Sequence, residues 1–419
     1  MIIFRLALQS LRNRWLTALL TVLAIAVSVM LLLGVEKVRN GARASFANTI
    51  SDTDLIVGAR SGAMQLLLYS VFRIGNATNN VTWQSYQEIA ARPEVKWTVP
   101  LSLGDSHRGF RVLGTTNAYF KHYAYRDKQH LQFAEGHNFK DLFDTVLGAN
   151  VAQKLGYKIG DHIIVAHGVG AIETARHDDM PFQVTGILQR TGTPVDDTVH
   201  VSLRAITAIH VDWRKGYRRK GHRTPVSIVR HMHLRPRAIT AALVRLKSRL
   251  QIFGFQRFVN NYPDEPLSAV MPGVALQDMW SLVGTAEKAL MAVSAMVVVT
   301  AILGMLTMIL ATLNERRREI AILRSVGAGP RTVIGLLMAE SSLLTLAGVV
   351  LGFVLTYLTL YFARPAIDAA YGLHLTLAAP SKNEALALLA ILLGGILAGL
   401  LPALRAYRQS LVDGMMVRS

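Results

Sequence analysis

The chain has 419 residues, 51% of them hydrophobic and 17% charged, with a formal net charge of +18. The absence of cysteine excludes disulfides, thiolate metal centres and a cysteine nucleophile. The positive charge suits anionic surfaces, but the basic residues flank apolar runs or crowd one loop, which excludes a nucleic-acid partner.

Residues 1–14 read as a short cytoplasmic amphipathic helix, with Ile2, Ile3, Leu6 and Leu8 set against Arg5, Arg12 and Arg14. Residues 15–35 follow without a charge and, at 1.5 Å per residue, reach roughly 30 Å, one bilayer core. This first span is too long for the core of a signal peptide. Glu36, Lys37, Arg39 and Arg43 also crowd the Ala42-x-Ala44 pair beyond it, so it reads as an uncleaved anchor.

Residues 36–284 hold no span. Their apolar runs are strand-sized, at 54–57, 97–101, 109–113, 162–165, 181–188 and 200–203, and Gly, Pro, Asn and Asp punctuate them. Helical patterns interleave at 83–92, 148–155, 203–211 and 238–250, which predicts a mixed α+β domain of two lobes. From 213 to 263 Lys and Arg occur with no Asp or Glu. The run from Arg214 to Arg223, inside a basic loop at about 213–237, reads either as a solvated insertion or as a dock for anionic headgroups or an acidic partner.

Three further spans follow at 289–313, 333–362 and 385–404, separated by a charged segment at 314–332 and a short loop at 363–384, with a tail at 405–419. Gly348 and Gly352 in the third span and Gly395 and Gly399 in the fourth have the four-residue spacing that lets helices approach closely, so these two faces are expected to pack together. Arginines crowd 1–14, 314–332 and 405–419, whereas 363–384 is nearly balanced; the basic flanks belong in the cytoplasm. The expected fold class is an α-helical membrane protein with four transmembrane helices and a large mixed α+β periplasmic domain inserted between helices 1 and 2. Both termini are expected inside.

The chemistry of hydrolases is missing. No Ser-His-Asp or zinc-hydrolase spacing occurs, and no Gly-Lys dipeptide exists to form a phosphate-binding loop, so the chain is not expected to be an enzyme or to hold a cofactor. Among 13 histidines, His107, His167, His200 and His210, with Asp212 and the run His177, Asp178 and Asp179, could converge on a hard or borderline cation. His177, Asp178 and Asp179 are the metal candidates. No His-x-x-x-His or HExxH spacing backs them, and the competing reading is surface or loop histidines, so no metal is expected. Glu340 lies roughly 10 Å into the third span. A carboxylate there is either functional in transport or a lock to an arginine of the charged segment.

That segment is the most informative stretch. Ile320, Leu323 and Val326 recur every three residues on one helical face, while Glu315 with Arg318 and Arg316 with Glu319 pair opposite charges on the other. Gly327 follows, where a helix stops. Read as an amphipathic helix at the membrane surface, it offers Glu315, Arg316, Arg317, Arg318, Glu319 and Arg324 to a cytoplasmic partner. The alternative is a loop enriched in Arg because it faces the cytoplasm.

Residues 315–328, ERRREIAILRSVGA, resemble the ERxxEIAILRAxGA signature of the FtsX/MacB/LolC-E superfamily of ABC transporter permeases. Glu340-Ser341 matches the Glu of that family's third span, and residues 402–408, PALRAYR, resemble its C-terminal PAxRAxR, though Leu411 stands where the family often has Pro. Residues 147–152 and 155–161, with Gly186-Ile187-Leu188 and Thr191-Gly192-Thr193-Pro194, resemble a MacB-like periplasmic core domain. The resemblance covers nearly the whole chain and implies a homodimer, or a heterodimer with a related permease, paired with cytoplasmic ABC ATPase subunits that hold ATP and Mg. A periplasmic adaptor or binding protein is a further implied partner. Transmission of ATP-driven movement to the periplasm would then serve export, extraction or activation of a partner. The rivals are an FtsX-like non-transporting regulator, a lipoprotein-releasing permease, and a membrane-anchored sensor or enzyme without an ATPase.

Overall fold

The computed structural model describes residues 2–169, 172–214, 217–218, 224–315, 322, 325, 327–371 and 377–408. It divides into a helical unit (Met1–Ala42, Gly284–Ile367 and Leu375–Ser419) and a sheet unit (Arg43–Val283 with Asp368–His374). Among the described residues, four helices are long and apolar enough to cross a membrane, one of them near the N-terminus, and the mixed α/β sheet domain lies in sequence between the first and the rest.

The sheet unit is built on one mixed sheet. Its main path runs Leu267–Val270, Leu55–Ala59, Ala241–Leu246, Val95–His107, Phe110–Thr115, Thr198–Ser202, Asp144–Leu147, Phe182–Leu188 and Phe133–Gly136. Two pairs are parallel, Thr198–Ser202 with Phe110–Thr115 and Phe182–Leu188 with Asp144–Leu147; the other pairs are antiparallel. The 13-residue strand Val95–His107 serves both halves. Its first part pairs with Ala241–Leu246 and its second with Phe110–Thr115, while its far end also receives Ala166–Val169. The two expected lobes are therefore two ends of one sheet joined by a shared strand. Three buried clusters pack on it. One is centred on Tyr119, Leu66 and Leu113, one on Phe182, Val151 and Ile209, and one on Ile89, Val244 and Phe255.

The helical pattern at 238–250 is overturned. Ala238–Ile239 and Ala241–Leu246 are strands, and only Arg249–Gln251 coils, as a short 3-10 turn. A short, mostly apolar run such as AALVRL fits a buried strand as well as a helix, and the choice here is made by distant partners. Leu243 faces Ile56 on one side and Val99 on the other, and Arg245 reaches Asp54 at 2.9 Å. The other three helical patterns form at Trp83–Ala90, Ala149–Leu155 and Leu203–Ile209. In the basic stretch, Trp213–Arg214 pairs with Tyr217–Arg218 as a small hairpin; residues 215–216 and 219–223 lie outside the described residues.

The Leu147-Gly148 motif has a steric cause. A Cβ on Gly148 would stand 2.2 Å from the carbonyl oxygen of Val195 and 2.4 Å from that of Asp196, so only glycine admits this backbone approach. Asp196 in turn accepts from the amides of Thr191 and Gly192 at 2.8 and 2.7 Å, which closes the Thr191–Pro194 turn over it.

In the helical unit, Ile2–Asn13 precedes Trp15–Ala47, the first spanning helix. The second is Pro272–Glu315, the third Pro330–Tyr371 and the fourth Lys382–Ala398, continued by Leu400–Arg408. Each of the first three outruns its apolar stretch, because charge ends a span without ending a helix. Proline opens the second and third, where its missing N–H costs nothing. The side chains are arranged for lipid. Leu20, Val27, Leu303, Val354 and Leu393 are exposed, while Thr21, Ser28, Ser294, Ser341, Thr345 and Thr356 are buried. Hydroxyls in such helices bond their own backbone, as Ser28 does to the Ala24 carbonyl at 2.7 Å and Thr345 to that of Ser341 at 2.8 Å.

Candidate functional site

Of the proposed coupling residues, Arg316, Arg317, Arg318, Glu319 and Arg324 lie outside the described residues. Glu315 closes the second spanning helix. Gly327 has φ +97°, and a Cβ there would meet nothing within 4 Å. Its requirement is conformational, a positive φ that glycine adopts without strain.

Glu340 sits on the third spanning helix and is buried, as is Ser341 beside it. Its expected arginine partner belongs to the charged segment, most of which lies outside the described residues. The glycine faces do not meet each other as expected. A Cβ on Gly348 would lie 2.6 Å from Ile25 Cβ, and one on Gly352 would lie 2.6 Å from the Ala26 carbonyl oxygen, so the third helix turns these glycines to the first. Gly395 and Gly399 of the fourth helix pack on Thr345 and Ser341, where a Cβ would come within 2.2 and 2.0 Å of the two hydroxyl oxygens. The third helix thus sits between the other two and offers them different faces. Gly352→Val should lower the unfolding temperature of the purified protein in detergent, at a cost of about 1–3 kcal/mol for overpacking against backbone that cannot swing aside. Gly304→Ala, with nothing within 4 Å, should be neutral or slightly stabilising. Equal melting of Gly352→Val and wild type would refute this packing.

A polar lock joins the ends of three spanning segments. Lys37 Nζ lies 3.2 Å from Glu384 Oε2 and donates to the Ala378 carbonyl at 3.1 Å, which also accepts from Tyr357 Oη at 2.8 Å. Glu384 is itself part of a capping box. Ser381 Oγ accepts from its amide at 3.2 Å, and its carboxylate accepts from the Ser381 amide at 2.9 Å. Sequence reading assigned Lys37 and Glu384 only to flanking charge; the capping pattern Ser381-x-x-Glu384 was the available signal.

In the sheet unit, Asp105, His167, His177 and His210 each offer a ligand atom within 4.8 Å of the others. Asp105 and His167 are direct cross-strand partners between Val95–His107 and Ala166–Val169, and a register shift adjoins each, just before Asp105 at Leu103/Asp105 and just after His167 at His167/Gly168. Such bulges re-aim side chains. His177 is held by its amide on the Val165 carbonyl at 3.0 Å. His210 caps the helix Leu203–Ile209, whose start is fixed by Ser202 Oγ accepting from the Ala205 amide at 3.0 Å. His167 Nδ1 lies 2.9 Å from Asp105 Oδ1, His210 Nδ1 lies 2.6 Å from the Ile206 carbonyl, and the two Nε2 atoms are 3.2 Å apart. Trp213 packs edge-on against His167 and tilted against His177, with ring centroids at 4.7 and 4.8 Å. Burial pushes His177 down to about 4, and the neighbouring His210 and His167 add to the shift.

Of the three metal candidates named from sequence, only His177 belongs to this group. Asp178 is exposed and turns to Arg176, at 3.5 Å. Asp179 follows it in the same turn and lies outside the group. His107 is used by the Ile164 carbonyl and Tyr157 Oη at 2.7 and 3.0 Å, and Asp212 accepts from Thr224. His200 is buried beside Tyr119 and Phe120; burial, with the Arg73 charge behind it, pushes it down to about 3. Asp105 escaped sequence reading because it lies far in the chain from His167, His177 and His210; Trp213, three residues after His210, carries no metal-ligating atom that would have marked it.

Comparison with known proteins follows this division. The MacB-like periplasmic core domain matches residues 18–249, and the FtsX-like permease C-terminal region matches 291–411. Among solved structures, the periplasmic region of MacB from Actinobacillus actinomycetemcomitans is similar at 10% identity and TM-score 0.34, covering 55% of this chain and 94% of that one. The extracellular domain of the noncanonic ABC-type transporter YknZ from Gram-positive bacteria is similar at 14% identity and TM-score 0.30, covering 52% and 98%. No curated protein matches the chain.

Proposed function

The chain belongs to the family that joins a MacB-like periplasmic core domain to an FtsX-like permease C-terminal region, and on that premise we propose that it is the membrane subunit through which a separate cytoplasmic ATPase moves a periplasmic domain. The observation that carries the reading is the order of parts: one spanning helix, a large sheet domain, then three spanning helices within and around the permease match. Membership makes it an ABC-transporter-type permease component of the inner membrane. The finer reading is a dimer whose charged 314–332 segment seats on the ATPase, with ATP and Mg held by that partner. Both termini lie in the cytoplasm and the sheet domain in the periplasm. The chain has no phosphate-binding loop in its sequence, which supports this division of labour. Glu340, buried in the third spanning helix, serves as a lock within the helical unit.

Reporter fusions test the topology. Fusions at Gly168 and Gly372 should read outside and one at Gly329 inside, and a cytoplasmic signal at Gly168 would overturn the arrangement. Purification through a tag on this chain should recover an ATPase with a phosphate-binding loop; recovery of none from native membranes would remove the coupling reading.

A further inference from the structure

We propose that His167, His177 and His210, oriented by Asp105, form a binding site for a borderline divalent cation, with zinc the best fit. The reasoning starts from hydrogen bonds. The Ile206 carbonyl can only accept, so His210 Nδ1, 2.6 Å away, carries the proton. The Asp105 carboxylate likewise makes His167 Nδ1 the donor at 2.9 Å. In both neutral rings the lone pair is then on Nε2, and these two atoms face each other at 3.2 Å. Two lone pairs at that distance repel unless a shared proton or a metal cation lies between them, and the third histidine favours the metal. Two imidazoles bound tetrahedrally at about 2.0–2.1 Å from zinc hold their nitrogens roughly 3.3 Å apart.

The third histidine supplies an independent observation. His177 is 1% exposed, and its Nε2 has no hydrogen-bond partner among the described residues. A buried imidazole nitrogen without a partner is costly, and a metal satisfies it. Three imidazoles suit zinc or its neighbours and not magnesium or calcium, which take oxygen donors. A carboxylate on the far nitrogen of a ligating histidine, as Asp105 is on His167, is the usual outer support of such a site. Trp213 closes one side. On another, His167 and His210 line a cavity of about 600 Å³ with His233 and Arg235, which gives the ion a way in and leaves room for a fourth, exchangeable ligand.

An ion here would pin the strand Val95–His107, the strand Ala166–Val169, the turn at His177 and the end of the helix Leu203–Ile209 to one another. This role is independent of whether the chain couples to an ATPase.

The test uses the full-length protein in detergent, carried on a tag without histidine, stripped by a chelator and titrated with zinc against a chromophoric competitor. Wild type should take up one zinc per chain and gain thermal stability from it, and cobalt in its place should give the intense visible absorption of a tetrahedral site. His177→Ala and His210→Ala should each weaken zinc at least about 100-fold and abolish the cobalt band, and Asp105→Asn should weaken zinc about 10–100-fold. The exposed His231→Ala should leave both unchanged. His210 is half-buried at a helix end, so its variant keeps the test sound if His177→Ala fails to fold. Wild type that binds no zinc, or variants that bind it as wild type does, would overturn the site and leave a hydrogen-bonded histidine cluster.

Discussion

A chain carrying Arg317→Glu together with Glu319→Arg should insert and fold like wild type, yet recover little or no ATPase through its tag. The two changes put like charges opposite each other across an interface, which costs several kcal/mol. At about 1.4 kcal/mol per decade, that is on the order of a hundredfold or more in affinity. They leave Ile320, Leu323 and Val326, the apolar face of the same stretch, untouched. Gly327→Val should act differently. It strains a residue whose φ is +97°, and should impair transmission of ATPase movement more than binding. Full recovery of a coupled ATPase with the double reversal would reduce the segment to an arginine-rich cytoplasmic loop.

Lys37→Met should cost about 3–5 kcal/mol of stability, because it strands the Glu384 carboxylate in a site where that side chain is 2% exposed. Glu384→Gln should cost less than that, since an amide oxygen can still accept from the Ser381 amide and keep the helix start capped. The double variant should be more stable than the sum of the two losses predicts, because no buried charge is left alone. Thermal unfolding of the four proteins in one detergent measures the cycle. Strict additivity would mean that the 3.2 Å contact between Lys37 and Glu384 carries no coupling.

Local patterns were legible where physics is local. A span is announced by its own residues, so Trp15–Ala47 and its three counterparts could be read directly, as could the strands at Leu55–Ala59 and Phe182–Leu188. The stretch Ala241–Leu246 was misread because its strand state is set by Leu55–Ala59 and Val95–His107, far away in the chain. Glycine spacing marked two close-packing faces but could not say which helix each would meet; Gly348 and Gly352 found the first helix rather than the fourth. The histidine group shows the same boundary. Adjacency suggested His177, Asp178 and Asp179, yet neighbours in a turn point apart, and the carboxylate that does join, Asp105, arrives through strand register with His167.

The place of Leu55–Ala59 in the sheet has a consequence for how the domain is made. This strand is synthesised early, but both its neighbours, Ala241–Leu246 and Leu267–Val270, come roughly 190 or more residues later, a separation that slows folding. Until residue 246 has emerged it has no native partner on either side, and until residue 270 has emerged one edge stays open. A nascent chain stalled before that point therefore carries an open β-edge, the kind that recruits chaperones, proteases or another chain's strand. Truncations ending near residue 235 should be cleared or aggregate, whereas those ending just beyond residue 270 can close the sheet.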